Sequence, residues 1–139
     1  MKIVKLSYVL LSALVMAWPM TGTAADRKTP TAPDEFLRMT NPIAPSADAL
    51  HEAKGIYENR CSKCHGTNGD GNGSATRDLD VKPRNYRDRN LMSTIPDGQL
   101  FWIIMNGSDP EATEMAGYKK KLPEDHVWKL IHYIRSFAK

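Results

Sequence analysis

The sequence predicts a small all-α domain in which three main helices are separated by long irregular loops. Three observations predict it. Apolar residues recur at helical spacing in three stretches, Gly, Pro, Asn and Asp cluster between those stretches, and no run alternates convincingly in the manner of a β-strand. The first helix takes Ser46 or Asp48 as its N-cap and carries Leu50, Ala53, Ile56 and Tyr57 on one face. The second runs from Asp97 to Asn106 through Leu100, Phe101, Trp102, Ile103, Ile104 and Met105, and stops at a Gly107 cap. The third opens at Pro123, Glu124 and Asp125, with proline in the first turn and acids at the positive end of the helix dipole. Its buried face holds Val127, Trp128, Leu130, Ile131, Ile134 and Phe137.

The ends of the chain read differently. Lys2 and Lys5 precede the apolar run Leu6 to Met20, and Thr23, Ala24 and Ala25 supply small residues, the pattern of a cleavable secretory leader over residues 1–25. An uncleaved anchor is the alternative, since the apolar stretch approaches the roughly 20 residues that span a bilayer; Pro19, Thr21, Gly22 and Thr23 weigh against it. Residues 26–46 hold Pro30, Pro33, Pro42 and Pro45 and read as an N-terminal arm or linker, with Phe36, Leu37, Met39 and Ile43 available to pack it onto the domain. Residues 47–139 then form one small domain and not two.

Formal net charge is +3. Two of those charges, Lys2 and Lys5, leave with the leader, so the mature chain is near neutral. A whole-molecule case for nucleic-acid binding is thereby removed.

Both cysteines of the chain fall in Cys61-Ser-Lys-Cys64-His65. One helical turn sets Cys61 and Cys64 on the same face, about 5 to 6 Å apart at Cβ, so both sulfurs reach the two vinyl groups on one porphyrin edge while His65 points its imidazole at the iron. Other chemistries fit less well. A zinc ribbon needs a second cysteine pair that the chain lacks. A thioredoxin-like pair follows a buried strand, whereas Ala53 to Arg60 looks helical. A local disulfide leaves His65 without a role. The Gly66–Gly73 loop resembles a calcium loop only superficially, because the further acidic ligands are missing.

The second axial ligand to such an iron is best supplied by Met115, in the irregular stretch between Gly107 and Pro123. Met105 belongs to an apolar helix, Met92 to a polar loop and Met39 to the arm, while His51, His126 and His132 fall on helices with ordinary surface or packing roles. Thioether ligation opposite imidazole raises the reduction potential and fills the coordination sphere, which suits electron transfer and discourages catalysis.

The helix before Cys-x-x-Cys-His, the Gly-rich loop after it, Met115 about 50 residues later and a closing amphipathic helix together resemble a class I monohaem c-type cytochrome, over about residues 48–139. The resemblance implies the small cytochrome c fold wrapped around one covalent haem c held by Cys61, Cys64, His65 and Met115. It further implies that the Pro83 carbonyl accepts the Nδ1 proton of His65, and that Gly55 and Tyr57 lie where the first helix crosses the last, with Tyr133 against Gly55. The chain differs from the family pattern at Ala116, where a proline usually follows the methionine.

The expected function is that of a periplasmic one-electron carrier, an electron-transfer protein and not an enzyme. The alternatives are a haem subunit docked permanently on a larger oxidoreductase, or a gas-sensing or peroxidase-like protein with a labile sixth ligand. Redox partners are expected to dock near Lys119, Lys120 and Lys121. A second basic group, Lys82, Arg84, Arg87 and Arg89, is diluted by Asp78, Asp80 and Asp88.

Overall fold

The structure is a computed structural model that describes residues 29–111 and 113–139; the expected leader and residues 26–28 of the arm lie outside the described residues. The described residues form helices α1 (Asp34–Leu37), α2 (Ala47–Arg60), α3 (Ser62–His65), α4 (Arg89–Ser93), α5 (Asp97–Asn106) and α6 (Glu124–Ser136). Among the described residues the one β-type pairing is an isolated antiparallel bridge between Gly107 and Ala116. The three long helices are those expected from periodicity; α1 and α4 are short turns that carry no periodic signal. No described helix is long and apolar enough to cross a membrane.

The Ser46 hydroxyl accepts from the Ala49 amide and starts α2. Ala49, Ala53 and Tyr57, spaced four apart, form its buried face, and this face packs on α6 through Val127, Leu130, Ile131 and Ile134. Ala53 is completely buried, so a small side chain is what lets the two helices approach. The expected meeting of Gly55 and Tyr133 is not found. Gly55 lies two residues off the Ala53 row, more than a third of the way round the helix, and a Cβ there would meet nothing within 4 Å. Tyr133 instead packs its ring against Tyr57, with centroids 5.4 Å apart. Gly55→Ala is therefore expected to stabilise the haem-loaded protein by about 0.5 to 1 kcal/mol, as removal of a mid-helix glycine does. Denaturant unfolding checks this, and a lower midpoint would show that the space beside Gly55 is needed.

Helix α5 lies against α6 and α1. The Phe101 ring stacks on Trp128 at 4.2 Å and Phe36 of the arm on Phe101 at 6.3 Å, so three aromatic rings join arm, α5 and α6. Arg135, near the end of α6, donates to the Asp97 carboxylate at 2.7 Å and to the carbonyls of Met92 and Ile95, tying α6 to the turn between α4 and α5.

The arm is packed along its described length. Gln99 grips it twice: Oε1 accepts from the Ala32 amide at 2.7 Å and Nε2 donates to the Pro30 carbonyl at 2.9 Å. Asn41 donates to the Trp128 carbonyl, and His132 Nε2 meets the Ile43 carbonyl. Phe36 and Ile43 pack against the core while Met39 stays exposed. Gly98 is the position that permits this, because a Cβ there would overlap the Phe36 carbonyl oxygen.

Candidate functional site

Helix α3 is a single turn. Cys61 ends α2 with its amide donating to the Tyr57 carbonyl, and its own carbonyl accepts from the amides of Cys64 and His65 at 3.1 and 2.9 Å. A turn this short leaves most carbonyls without intrahelical partners. The Gly-rich loop supplies them: Gly71 donates to the His65 carbonyl, Gly73 to Cys64 and Ala75 to Lys63. Tyr57, fully buried, donates its hydroxyl to the Gly66 carbonyl at 2.8 Å. Residues 66–76 are thus folded back onto the cysteine turn, which explains the glycines as close-approach positions and not as calcium ligands. Among the described residues no cluster of His, Cys, Asp and Glu suited to a metal ion is present.

The Met115 segment is held to the other end of the site. The amide of Ser108 donates to the Met115 carbonyl at 3.0 Å, while Tyr118 and Lys119 donate to the Ile104 and Met105 carbonyls at 2.9 and 3.0 Å. These bonds satisfy the C-terminal carbonyls of α5 and anchor the loop in one step. Gly107, with φ of 89°, turns the chain out of α5; a side chain there would strike the Met115 carbonyl. Loop geometry therefore rests on residues 107, 108, 118 and 119, and Ala116 needs no proline to hold it.

Cys61, Cys64, His65, Pro83 and Met115 all line one cavity of about 290 Å³. Its remaining walls are mostly apolar, with Val81, Leu100, Ile103, Ile104 and Leu130 prominent. Among the described residues no other methionine lines it: Met92 and Met105 are in the hydrophobic core and Met39 is exposed on the arm. Where the sequence reads as a polar loop, Met92 sits on α4 and is buried, only 1% exposed. His51 is exposed on α2, His126 pairs with Glu52 and His132 with the arm, so none of these three lines the cavity.

His65 is 8% exposed. Its Nδ1 lies 3.2 Å from the carbonyl oxygen of Arg84. A carbonyl can only accept, so this contact places the ring proton on Nδ1 and leaves the Nε2 lone pair unprotonated. The carbonyl that does this is Arg84's and not, as the resemblance implies, Pro83's. The Pro83 carbonyl is turned toward Gly71, where a Cβ would come within 2.6 Å of it. The second ring nitrogen is met by the hydroxyl of Tyr86 at 3.2 Å, with the two rings stacked 4.5 Å apart. Burial pushes the Tyr86 phenol well above its usual range, so it is a donor here. Nothing in the spacing of the sequence distinguishes Tyr86 from the other tyrosines.

Burial, with a smaller contribution from the neighbouring Cys64, pushes the Cys61 thiol up to about 12, while Cys64 is exposed. Cys61 is therefore a neutral thiol at neutral pH. Two thiols, an imidazole with a fixed tautomer, a thioether and an apolar wall in one cavity suit a flat apolar macrocycle carrying two vinyl groups and an iron.

The family whose model matches this chain is described as cytochrome c oxidase, cbb3-type, subunit III, and the match covers residues 48–134. That span is more than half of the chain and contains every cavity residue named above. The chain belongs to this family. It is accordingly a monohaem c-type cytochrome, with covalently bound haem c as cofactor and haem-based electron transfer as its broad function. No curated protein matches the chain.

Among solved structures, the cytochrome is similar to the Kuenenia stuttgartiensis reducing HAO-like protein complex Kustc0457/Kustc0458, with TM-score 0.61 and 23% identity over 74% of this chain. It spans about half, 49%, of that chain's length. It is also similar to the KustC0563 c-type cytochrome, with TM-score 0.52 and 26% identity, covering 63% of this chain and 98% of the other. The expected all-α cytochrome c fold is borne out.

Proposed function

We propose that the cytochrome is a periplasmic one-electron carrier whose haem is attached through Cys61 and Cys64 and ligated by His65 and Met115. The observation that carries this is the convergence of those four side chains on one cavity, with His65 held as the Nδ1-H tautomer. The thiols of Cys61 and Cys64 would hold the haem by adding across its two vinyl groups, each S–H hydrogen passing to carbon as a thioether forms. His65 presents the lone pair of Nε2, the same one that the Tyr86 hydroxyl meets in this structure. Met115 brings a thioether from a loop whose backbone is already anchored. When bound, the haem supplies the one-electron iron couple. The apolar wall keeps water from the iron. The leader over residues 1–25 is the route to the periplasm.

A visible spectrum of the oxidised and reduced protein, with and without carbon monoxide, tests the assignment. The oxidised form is expected to show the weak red absorption of a sulfur to iron bond, and the reduced form to exclude carbon monoxide at neutral pH. Rapid carbon monoxide binding by wild type would overturn it in favour of an open-site sensor or enzyme.

The family description names an oxidase subunit, which favours a second version in which the same haem works while docked on a larger oxidoreductase. Size-exclusion of native extract separates the two: migration as a small free protein supports the shuttle, and stable co-migration with an enzyme supports the subunit.

Lys119, Lys120 and Lys121 are exposed and follow the anchored Met115 loop directly, with Lys121 over the Tyr118 ring at 5.6 Å. They are the proposed docking site for an acidic redox partner. Replacing all three by glutamine is expected to slow electron exchange with such a partner by about tenfold or more at low salt, the gap closing as salt rises. Rates unchanged across ionic strength would remove the lysines from docking.

A further inference from the structure

Arg84 acts at the cavity through two different groups. Its carbonyl accepts from His65, and its guanidinium Nη2 donates to Thr29 Oγ1 of the arm at 2.9 Å. Both Arg84 and Thr29 line the cavity. Arg84 as a residue is half-buried, yet among the described residues it forms no ion pair. Arg135, also half-buried, has the Asp97 carboxylate. A partly desolvated guanidinium with five N–H donors and one neutral acceptor lacks the counter-charge that such a group needs.

Several other polar groups around the cavity already have partners, while Arg60 and Glu114 also line it. Both ends of the Gln99 amide hold the arm, Lys82 Nζ donates to the Thr76 carbonyl, and the Tyr118 hydroxyl donates to the Arg60 carbonyl. Arg60 itself is exposed. A haem brings two carboxylates, its propionates, into this cavity, and a planar guanidinium fork matches a carboxylate bidentately.

We propose that Arg84 and Thr29 together form the seat of one haem propionate, so that the N-terminal arm is part of the haem site. This rests on the haem assignment above. Thr29 lies outside the span 48–134 that matches the family, which makes the arm's share a contribution of this chain's own N-terminal segment. Gln99, gripping the adjacent Pro30, is what keeps Thr29 at the cavity rim. Arg84 is then a positioning residue: one side of it orients His65 and the other orients the cofactor's charged edge.

The test uses the haem-loaded full chain and the propionate proton resonances of the oxidised protein, which the iron shifts away from other signals. Arg84→Gln keeps the backbone carbonyl. It is expected to move the resonances of one propionate and spare the other. At a fixed ambient potential it should also shift the oxidised to reduced ratio several-fold toward oxidised, because a cation near the iron is lost. Arg84→Lys restores the ratio but not the resonances, and Thr29→Val moves the same propionate's resonances by less. Arg60→Gln leaves the resonances of that propionate unmoved.

Unmoved propionate resonances in both Arg84→Gln and Thr29→Val would overturn the proposal, as would Arg60→Gln moving that propionate instead. If Arg84→Gln yields no haem-loaded protein, Arg84→Lys and Thr29→Val decide it on the same resonances. Failure of the haem assignment is separately visible, as wild type without a haem spectrum.

Discussion

Met115→Ala is expected to abolish the red sulfur to iron absorption, let the reduced protein bind carbon monoxide, and lower the reduction potential by a sizeable part of the roughly 0.8 V that axial ligands command. The substitution removes the thioether and little else. The Met115 carbonyl still accepts from Ser108, and Tyr118 and Lys119 still cap the end of α5, so the loop keeps its path. Met105→Ala is the control: its side chain is in the core and not in the cavity, so it should cost about 2 to 5 kcal/mol of stability with the red absorption retained. Equal carbon monoxide binding by wild type and Met115→Ala would show that Met115 never occupied the sixth position.

Trp128→Ala is expected to cost about 3 to 5 kcal/mol, a large fraction of the roughly 5 to 15 kcal/mol that holds a domain folded. Trp128 is 4% exposed and stacks on Phe101, which in turn stacks on Phe36. Removal leaves a void between α5 and α6 and unseats the arm from its aromatic support, while the Trp128 carbonyl can still accept from Asn41. Because Trp128 does not line the haem cavity, the visible spectrum in native buffer should be unchanged. Denaturant unfolding of the haem-loaded protein measures the loss as a lower midpoint at similar slope. A loss below about 1 kcal/mol would mean the aromatic stack contributes little beyond contact.

How much of this was legible beforehand varied with the range of the interaction. The bounds of α5, Asp97 to Asn106, follow from a dense apolar run and a terminal glycine, both local signals. Ser46 as cap of α2 and the Gly-rich loop after His65 were legible for the same reason. Gly98 was not: it reads as a helix residue of no special kind until the Phe36 carbonyl is seen over it. The Gly55 expectation failed because a helix face is set by its partner, and the row Ala49, Ala53, Tyr57 meets α6. Arg135 gave no signal at all, since its partners, Asp97 and the carbonyls of Met92 and Ile95, are far away in the chain.

In the site, the Cys61 to His65 turn was determined by sequence alone, because its chemistry depends on spacing within one helical turn. Met115 follows by elimination among few candidates, and it lines the same cavity as Cys61, Cys64 and His65. The tertiary structure alone decided the carbonyl that fixes the His65 tautomer, the phenol that meets its other nitrogen, and the arm residue at the cavity rim. Arg84, Tyr86 and Thr29 are separated from His65 by loops of no regular period, so only the folded chain sets which of their groups reaches the ring or the cavity.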